Sequence, residues 1–257
     1  MRKVVPPLVL GLLLLGGWEA VVRTFAIPPY LLPGPLAIAR TLVNDWQTLA
    51  QSWWITLSIA LAALAAAVVL GVGLAVLFSA SKWVERSFFP YAVILQVTPI
   101  VSIAPLIIIW VDDTRIALLI CAWIVAFFPI LSNTTLGLNS ADRNLLDLFT
   151  LYRASGWQRL VHLRLPGALP YFLAGLKISG GLSLIGAVVA EFVAGTGGQA
   201  SGLAYRILES GYQLKIPRMF AALALISLSG ILLFLALSLL SHLCLRRWHE
   251  SEIREES

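Results

Sequence analysis

Eight polar side chains lie inside stretches that are otherwise apolar: Glu19, Gln96, Thr98, Ser102, Lys177, Ser179, Ser183 and Glu191. In hydrocarbon each costs free energy unless it faces protein or water, so such a set suits contact with a polar solute in transit. Gln96 beside Pro99 is the best placed. A proline leaves backbone carbonyls unpartnered where a substrate or gate could use them, although a structural kink reads equally well. Thr98, Pro99, Ser102, Ser183 and Glu191 join Gln96 as candidate pathway residues. Glu191, at the end of its apolar run, reads equally as an interfacial carboxylate.

Bond-breaking chemistry has no constellation to rest on. His162, His242 and His249 are scattered without metal-ligand spacing. Cys121 and Cys244 fall inside apolar runs and read as small buried hydrophobes, near opposite faces where no disulfide could join them. No Gly-x-x-x-x-Gly-Lys-Ser/Thr loop occurs, so the chain has no means of cradling a nucleotide phosphate. The run Gly195-Thr-Gly-Gly-Gln-Ala-Ser-Gly202 is rich in glycine but lacks a lysine, and reads as a re-entrant or external loop. Ser227-Leu-Ser-Gly230 sits inside an apolar run and reads as small residues at a helix contact. The expectation is a chain with no catalytic residue, no metal and no cofactor of its own.

A second informative segment, residues 139–166, lies outside the apolar runs. Ser140 can cap a helix on which Leu145, Leu148, Phe149 and Tyr152 fall at i, i+3, i+4 and i+7, with Asp147 and Thr150 facing away. Gly156 supplies a stop, and a second short basic helix, Trp157 to Leu165, runs into Pro166. An amphipathic helix with no core of its own has two uses: to fill a groove on a partner, or to lie on lipid with its basic residues among anionic headgroups.

These residues need elements that cross a membrane. Of 257 residues 59% are hydrophobic and 12% charged, too little polar surface to coat a water-soluble globule. The charge of +5 sits between apolar runs, where basic residues set membrane orientation, and does not point to nucleic acid. Apolar runs of spanning length predict an all-α polytopic membrane protein with six transmembrane helices, at about 4–22, 54–78, 89–110, 116–131, 171–193 and 220–245. The chain reads as one transmembrane domain over 1–257, with no soluble appendage. Basic residues such as Arg2, Lys3, Lys82, Arg86, Arg153, Arg164 and Arg247 outnumber those on the other side, such as Arg115 and Lys215, by about two to one. That puts both termini and the segment from Ser132 to Pro170 in the cytoplasm. The basic start followed by an apolar run resembles a signal peptide, but Trp18 and Glu19 spoil a cleavage site, so the first helix is expected to stay. A short interfacial helix is expected at Leu36 to Val43 after a proline-rich stretch. Ala63, Ala67, Gly71 and Ala75 make a small-residue stripe, a seam within the chain or between subunits.

The run Asp147-Leu-Phe-Thr-Leu-Tyr-Arg153-Ala-Ser-Gly-Trp, followed by Leu165-Pro166, resembles the "EAA" loop of binding-protein-dependent ABC importer permeases. Leu95-Gln-Val-Thr-Pro99 with Ala104-Pro105-Leu-Ile-Ile-Ile-Trp110 resembles the third helix of the subgroup serving nitrate, sulfonates, taurine and thiamine-precursor pyrimidines. The likeness runs from about Pro28 to Arg247. Asp147 stands in place of the family's glutamate, Leu148 and Phe149 in place of its alanines, and Arg153 in place of its glycine. Gly156 comes three positions later than that glycine.

The resemblance implies a permease subunit in a bacterial inner membrane, with Asp147, Leu148, Phe149, Tyr152, Arg153, Ala154, Ser155, Gly156 and Pro166 in a coupling helix and its flanks. That helix would seat in a groove on a separate cytoplasmic ATPase, which holds the ATP and magnesium. A periplasmic or lipid-anchored binding protein would deliver the solute, of sulfonate, nitrate, taurine or pyrimidine type, to a pair of permease copies. The competing reading is an ion- or proton-coupled carrier, which would need intramembrane carboxylates, of which only Glu19 and Glu191 are available.

Overall fold

The computed structural model describes residues 5–195 and 201–246. Lys3, Arg247 and the centre of the Gly195–Gly202 run lie outside them. Among the described residues there are helices and connecting turns and no strand. In order they are α1 (Val5–Thr24), α2 (Pro35–Asn44), α3 (Trp46–Ala80), α4 (Lys82–Val97), α5 (Ile100–Trp110), α6 (Thr114–Asn139), α7 (Arg143–Leu151), α8 (Gly156–Arg159), a π turn (Leu160–Arg164), α9 (Leu165–Ala194), α10 (Leu203–Tyr212) and α11 (Ile216–Leu245).

Among these residues four helices are long and apolar enough to cross a bilayer, or five crossings if the bent pair α4 and α5 counts as one. The chain is therefore an all-α polytopic membrane protein, with four or five crossings by this measure where six are expected from the sequence. The third expected span, 89–110, is not straight: α4 and α5 meet at 101°. Pro99 has no N–H and drives the preceding Thr98 out of the helical region, to φ −72° and ψ 122°. The fourth, expected to end near residue 131, continues to Asn139. Its polar tail is buried rather than looped out, with Thr134 and Thr135 2% and 5% exposed. The fifth begins well before Tyr171, because α8, the π turn and α9 form one helical run from Gly156 to Ala194.

The chain divides into two compact units, one of residues 1–56 and 195–228, the other of 57–194 and 229–257. In the first, Leu49, Leu203, Ala221, Ala222 and Leu225 form the core, with Ile38 and Leu42 of α2 against it. Polar ties complete it. Leu203 N–H donates to Thr56 Oγ1 at 2.9 Å, Arg206 Nε to Ser52 Oγ at 2.9 Å, and Arg218 faces Asp45 at 3.4 Å. Glu19 accepts from Arg23 Nε at 2.7 Å and from Leu36 N–H at 3.1 Å, so it satisfies a free donor at the start of α2.

In the second unit α6 and α9 run antiparallel and pack along much of their length. Ser179 Oγ donates to the Ala126 carbonyl at 2.6 Å across this seam. The stripe on α3 is a seam within the chain. Ala63, Ala67 and Ala75 are fully buried, and a β carbon at Gly71 would stand 2.8 Å from Ile130 Cγ2 on α6.

Candidate functional site

The segment between α6 and α9 folds as a helix, a tight turn and a second helix. Its first helix, α7, starts two residues later than expected. Asp142 is its N-cap, accepting from Asn144 N–H at 2.7 Å, whereas Ser140 ends α6 and donates its hydroxyl to the Gly137 carbonyl at 2.8 Å. Nor does Gly156 stop α7. Tyr152 is the C-cap, and Arg153 takes φ +54°, the left-handed conformation that closes many helices. Its N–H donates to the Thr150 carbonyl and that of Ala154 to the Phe149 carbonyl, both at 2.9 Å. Arg153 occupies the position where the resemblance puts a glycine, the residue for which φ > 0 carries no strain.

Ser155 opens the next helix with a capping box. Its hydroxyl accepts from Gln158 N–H at 3.2 Å, and its own N–H donates to Gln158 Oε1 at 2.7 Å. Gly156 is thus the first residue of α8. Pro166 does not end a helix either. It lies in the first turn of α9, just after a π turn in which Leu165 N–H reaches the Leu160 carbonyl. A proline at 166 cannot donate back to the preceding turn, and a widened turn accommodates it.

Leu148, Phe149, Tyr152 and Ala154 are brought together with Gln158 and His162 around an open hollow of about 310 Å³. Leu145 and Leu148 are each 45% exposed and Tyr152 77%, so the described residues leave much of the apolar stripe uncovered. Phe149 is half-buried, and Asp147 and Thr150 are exposed, with the Thr150 hydroxyl on the Leu146 carbonyl at 2.8 Å. Asp147, Arg153, Ser155 and Gly156 lie outside this hollow. Leu151, 80% exposed, is an apolar residue of α7 that the i, i+3, i+4 spacing does not single out.

The second set of candidates gathers at the break between α4 and α5. Gln96, Thr98 and Pro99 line a hollow of about 340 Å³ with Ile124, Val125 and Pro129 of α6 and Leu182 of α9. Gln96 is exposed there, while the Thr98 hydroxyl donates to the Ile94 carbonyl at 2.7 Å. Ser102 is exposed on α5 outside the hollow. Ser183 is fully buried, with its hydroxyl on the Gly180 carbonyl of its own helix at 2.9 Å. Glu191 is 3% exposed, buried inside the fold near the end of α9. No group of three metal-ligating side chains occurs among the described residues.

Comparison with known proteins fits this arrangement. Residues 67–249 match the family described as "Binding-protein-dependent transport system inner membrane component". The formylaminopyrimidine transport permease protein of Halalkalibacterium halodurans is 33% identical, with 93% of this chain and 94% of that protein covered. The riboflavin transport system permease protein of Chloroflexus aurantiacus is also 33% identical, over 93% and 88%. Among solved structures, the inward-facing MetNI methionine ABC transporter shares the fold, with a TM-score of 0.65 at 17% identity over 78% of this chain and 98% of that one. The chain belongs to the binding-protein-dependent transport system inner membrane component family, and is a permease component of an ABC importer.

Proposed function

We propose that α7 is the coupling helix through which this permease engages a separate cytoplasmic ATPase. The observation that carries this reading is the uncovered hollow around Leu148, Phe149 and Tyr152 on a helix outside the apolar runs. An exposed amphipathic helix of nine residues has no stability of its own to explain the stripe, and a partner's groove is the recognition mode that buries it. Asp147, Arg153, Ala154, Ser155, Gly156 and Pro166 then shape and flank the docking face. ATP and magnesium belong to the ATPase, and both termini of this chain lie with it on the cytoplasmic side of a bacterial inner membrane. Two permease copies enclose the pathway, because one copy's few helices surround little space, and two-fold pairing is the commonest assembly.

In this reading the solute, delivered by a periplasmic or lipid-anchored binding protein, passes the Gln96, Thr98 and Pro99 hollow, with Ser102 further along α5. Ser183 and Glu191 support that pathway from within the packing. We assign the solute to flat nitrogen heterocycles of pyrimidine type rather than to sulfonate, taurine or nitrate oxyanions. The relatives described above carry heterocycle names, and Gln96 offers both a donor and an acceptor to such a ring. A carrier driven by ions fits less well, since Glu19 is engaged by Arg23 and by the start of α2. The test is to purify the tagged chain from its own host, identify what accompanies it, and screen the accompanying binding protein against heterocycles and oxyanions. An ABC ATPase in the complex and a heterocycle on the binding protein are expected. A complex without an ATPase removes the coupling reading, and an oxyanion on the binding protein removes the solute assignment alone.

A further inference from the structure

Two hollows in the second unit lie between α3 and the helical run that begins at α8. The apolar one, of about 520 Å³, is lined by residues that include Val69, Val72 and Gly73 of α3 and Leu169 and Phe172 of α9, with Thr134 of α6. Thr134 is 2% exposed and its hydroxyl has no hydrogen-bond partner among the described residues. The other, of about 390 Å³, is lined by Ser79 and Ala80 of α3 and by Trp157, Arg159, Leu160 and Arg164. Gly73 and Ala80 lie on one face of α3, two turns and ~10 Å apart, and Arg164 directly precedes Leu165 of the apolar lining, so the two hollows, or compartments, follow one another along α3 as a groove would.

Arg164 Nη1 donates to the Ser79 carbonyl at 3.0 Å and Arg159 Nε to the Ala154 carbonyl at 3.1 Å. Each guanidinium has five donors, so both keep N–H groups for an anion. The apolar compartment lies between helices long and apolar enough to span, and Val69 beside it is 70% exposed, so it opens to the outside of the chain. A ligand that is long and apolar at one end and anionic at the other matches the two compartments in order. Trp157, 71% exposed beside the arginines, is the residue type that settles at headgroup level.

We propose that this groove holds one anionic phospholipid, its phosphate on Arg159 and Arg164 and an acyl chain against Gly73, Val72 and Phe172. Thr134 is placed to donate to an ester oxygen. The lipid braces α8 and the π turn against the end of α3, directly beside α7. A soluble anion would have no use for the apolar compartment, and the α7 hollow is lined by other residues.

The test titrates the purified full chain in detergent with phosphatidylglycerol and counts bound lipid by native mass spectrometry. Phosphatidylcholine of the same chains and inorganic phosphate serve as comparisons. One phosphatidylglycerol should remain bound through delipidation. Arg159→Gln with Arg164→Gln should weaken it about thirtyfold, two cationic contacts at roughly fivefold each. Gly73→Phe keeps both arginines and fills the apolar compartment from a position whose β carbon meets nothing within 4 Å, so it decides the matter even if the arginine pair fails to fold. It should release phosphatidylglycerol as well. Three outcomes overturn the proposal: unchanged binding in Gly73→Phe, equal binding of phosphatidylcholine by the natural chain, or displacement of the lipid by equimolar inorganic phosphate.

Discussion

Gly175 of α9 passes so close to Pro129 of α6 that a β carbon on it would stand 2.7 Å from the Pro129 carbonyl oxygen. That oxygen already accepts from Asn133 Nδ2 at 2.8 Å, and Ser179, one turn along α9, donates to the Ala126 carbonyl. Because α7 is strung between the end of α6 and the run leading into α9, this seam is the base on which the docking face is held.

Gly175→Val should therefore destabilise the permease by about 3 kcal/mol, the upper range for overpacking, since backbone and not a side-chain tip stands in the way. Gly181→Ala, at a position with nothing within 4 Å, should be neutral or stabilising by up to ~1 kcal/mol through helix propensity. Thermal unfolding of the two variants in detergent compares them directly.

Arg153→Gly should stabilise the turn after α7 by about 1 kcal/mol, because glycine takes φ +54° without the clash that an arginine β carbon meets. Arg153→Val should cost more than that, since a β-branched residue is a genuine outlier there. Local hydrogen exchange over residues 150–158 reads both effects.

The apolar spacing of Leu145, Leu148, Phe149 and Tyr152 was enough to place α7, because periodicity reports the face a helix exposes. Its ends were not legible. Ser140 and Asp142 can both cap, and only the structure shows that the Ser140 hydroxyl is spent on Gly137. The stop is equally obscure, since it uses a left-handed arginine while Gly156 starts a helix. Pro99 announced a break, but the 101° angle depends on how α4 and α5 pack. Hydropathy ends the fourth span at the polar run Ser132 to Thr135, of which tertiary packing buries Thr134 and Thr135. α10 gives no clear sequence signal, because Arg206 and Glu209 interrupt a helix of only ten residues, while the pairing of Arg206 with Glu209 and with Ser52 is a tertiary fact.

Orientation can be read by single cysteines in a background lacking Cys121 and Cys244. With an impermeant reagent on intact cells, positions 112 and 215 should label and position 153 should not. Asp112 is the better reporter than Asp113, whose carboxylate caps α6 through Arg115 and Ile116. Labelling at 153 from outside would invert the topology.

Gln96→Ala should slow solute transport by about five- to tenfold, the loss of one hydrogen bond to the solute, with assembly unchanged. Solute uptake into proteoliposomes of the complete transporter measures it. Transport at the natural rate would leave Gln96 as a neighbour of the Pro99 bend and nothing more.

Covering of the α7 stripe by the ATPase can be measured most directly by affinity capture of the ATPase with a permease in which Leu148, Phe149 and Tyr152 are all replaced by serine. A fall in affinity of about a thousandfold is expected, three side chains at roughly 1.5 kcal/mol each, with membrane insertion intact and transport lost. Asp147→Arg should cost no more than about 1 kcal/mol, as an exposed charge does. Capture of the ATPase by the triple variant at the natural yield, or a larger loss from Asp147→Arg than from the triple change, would contradict it.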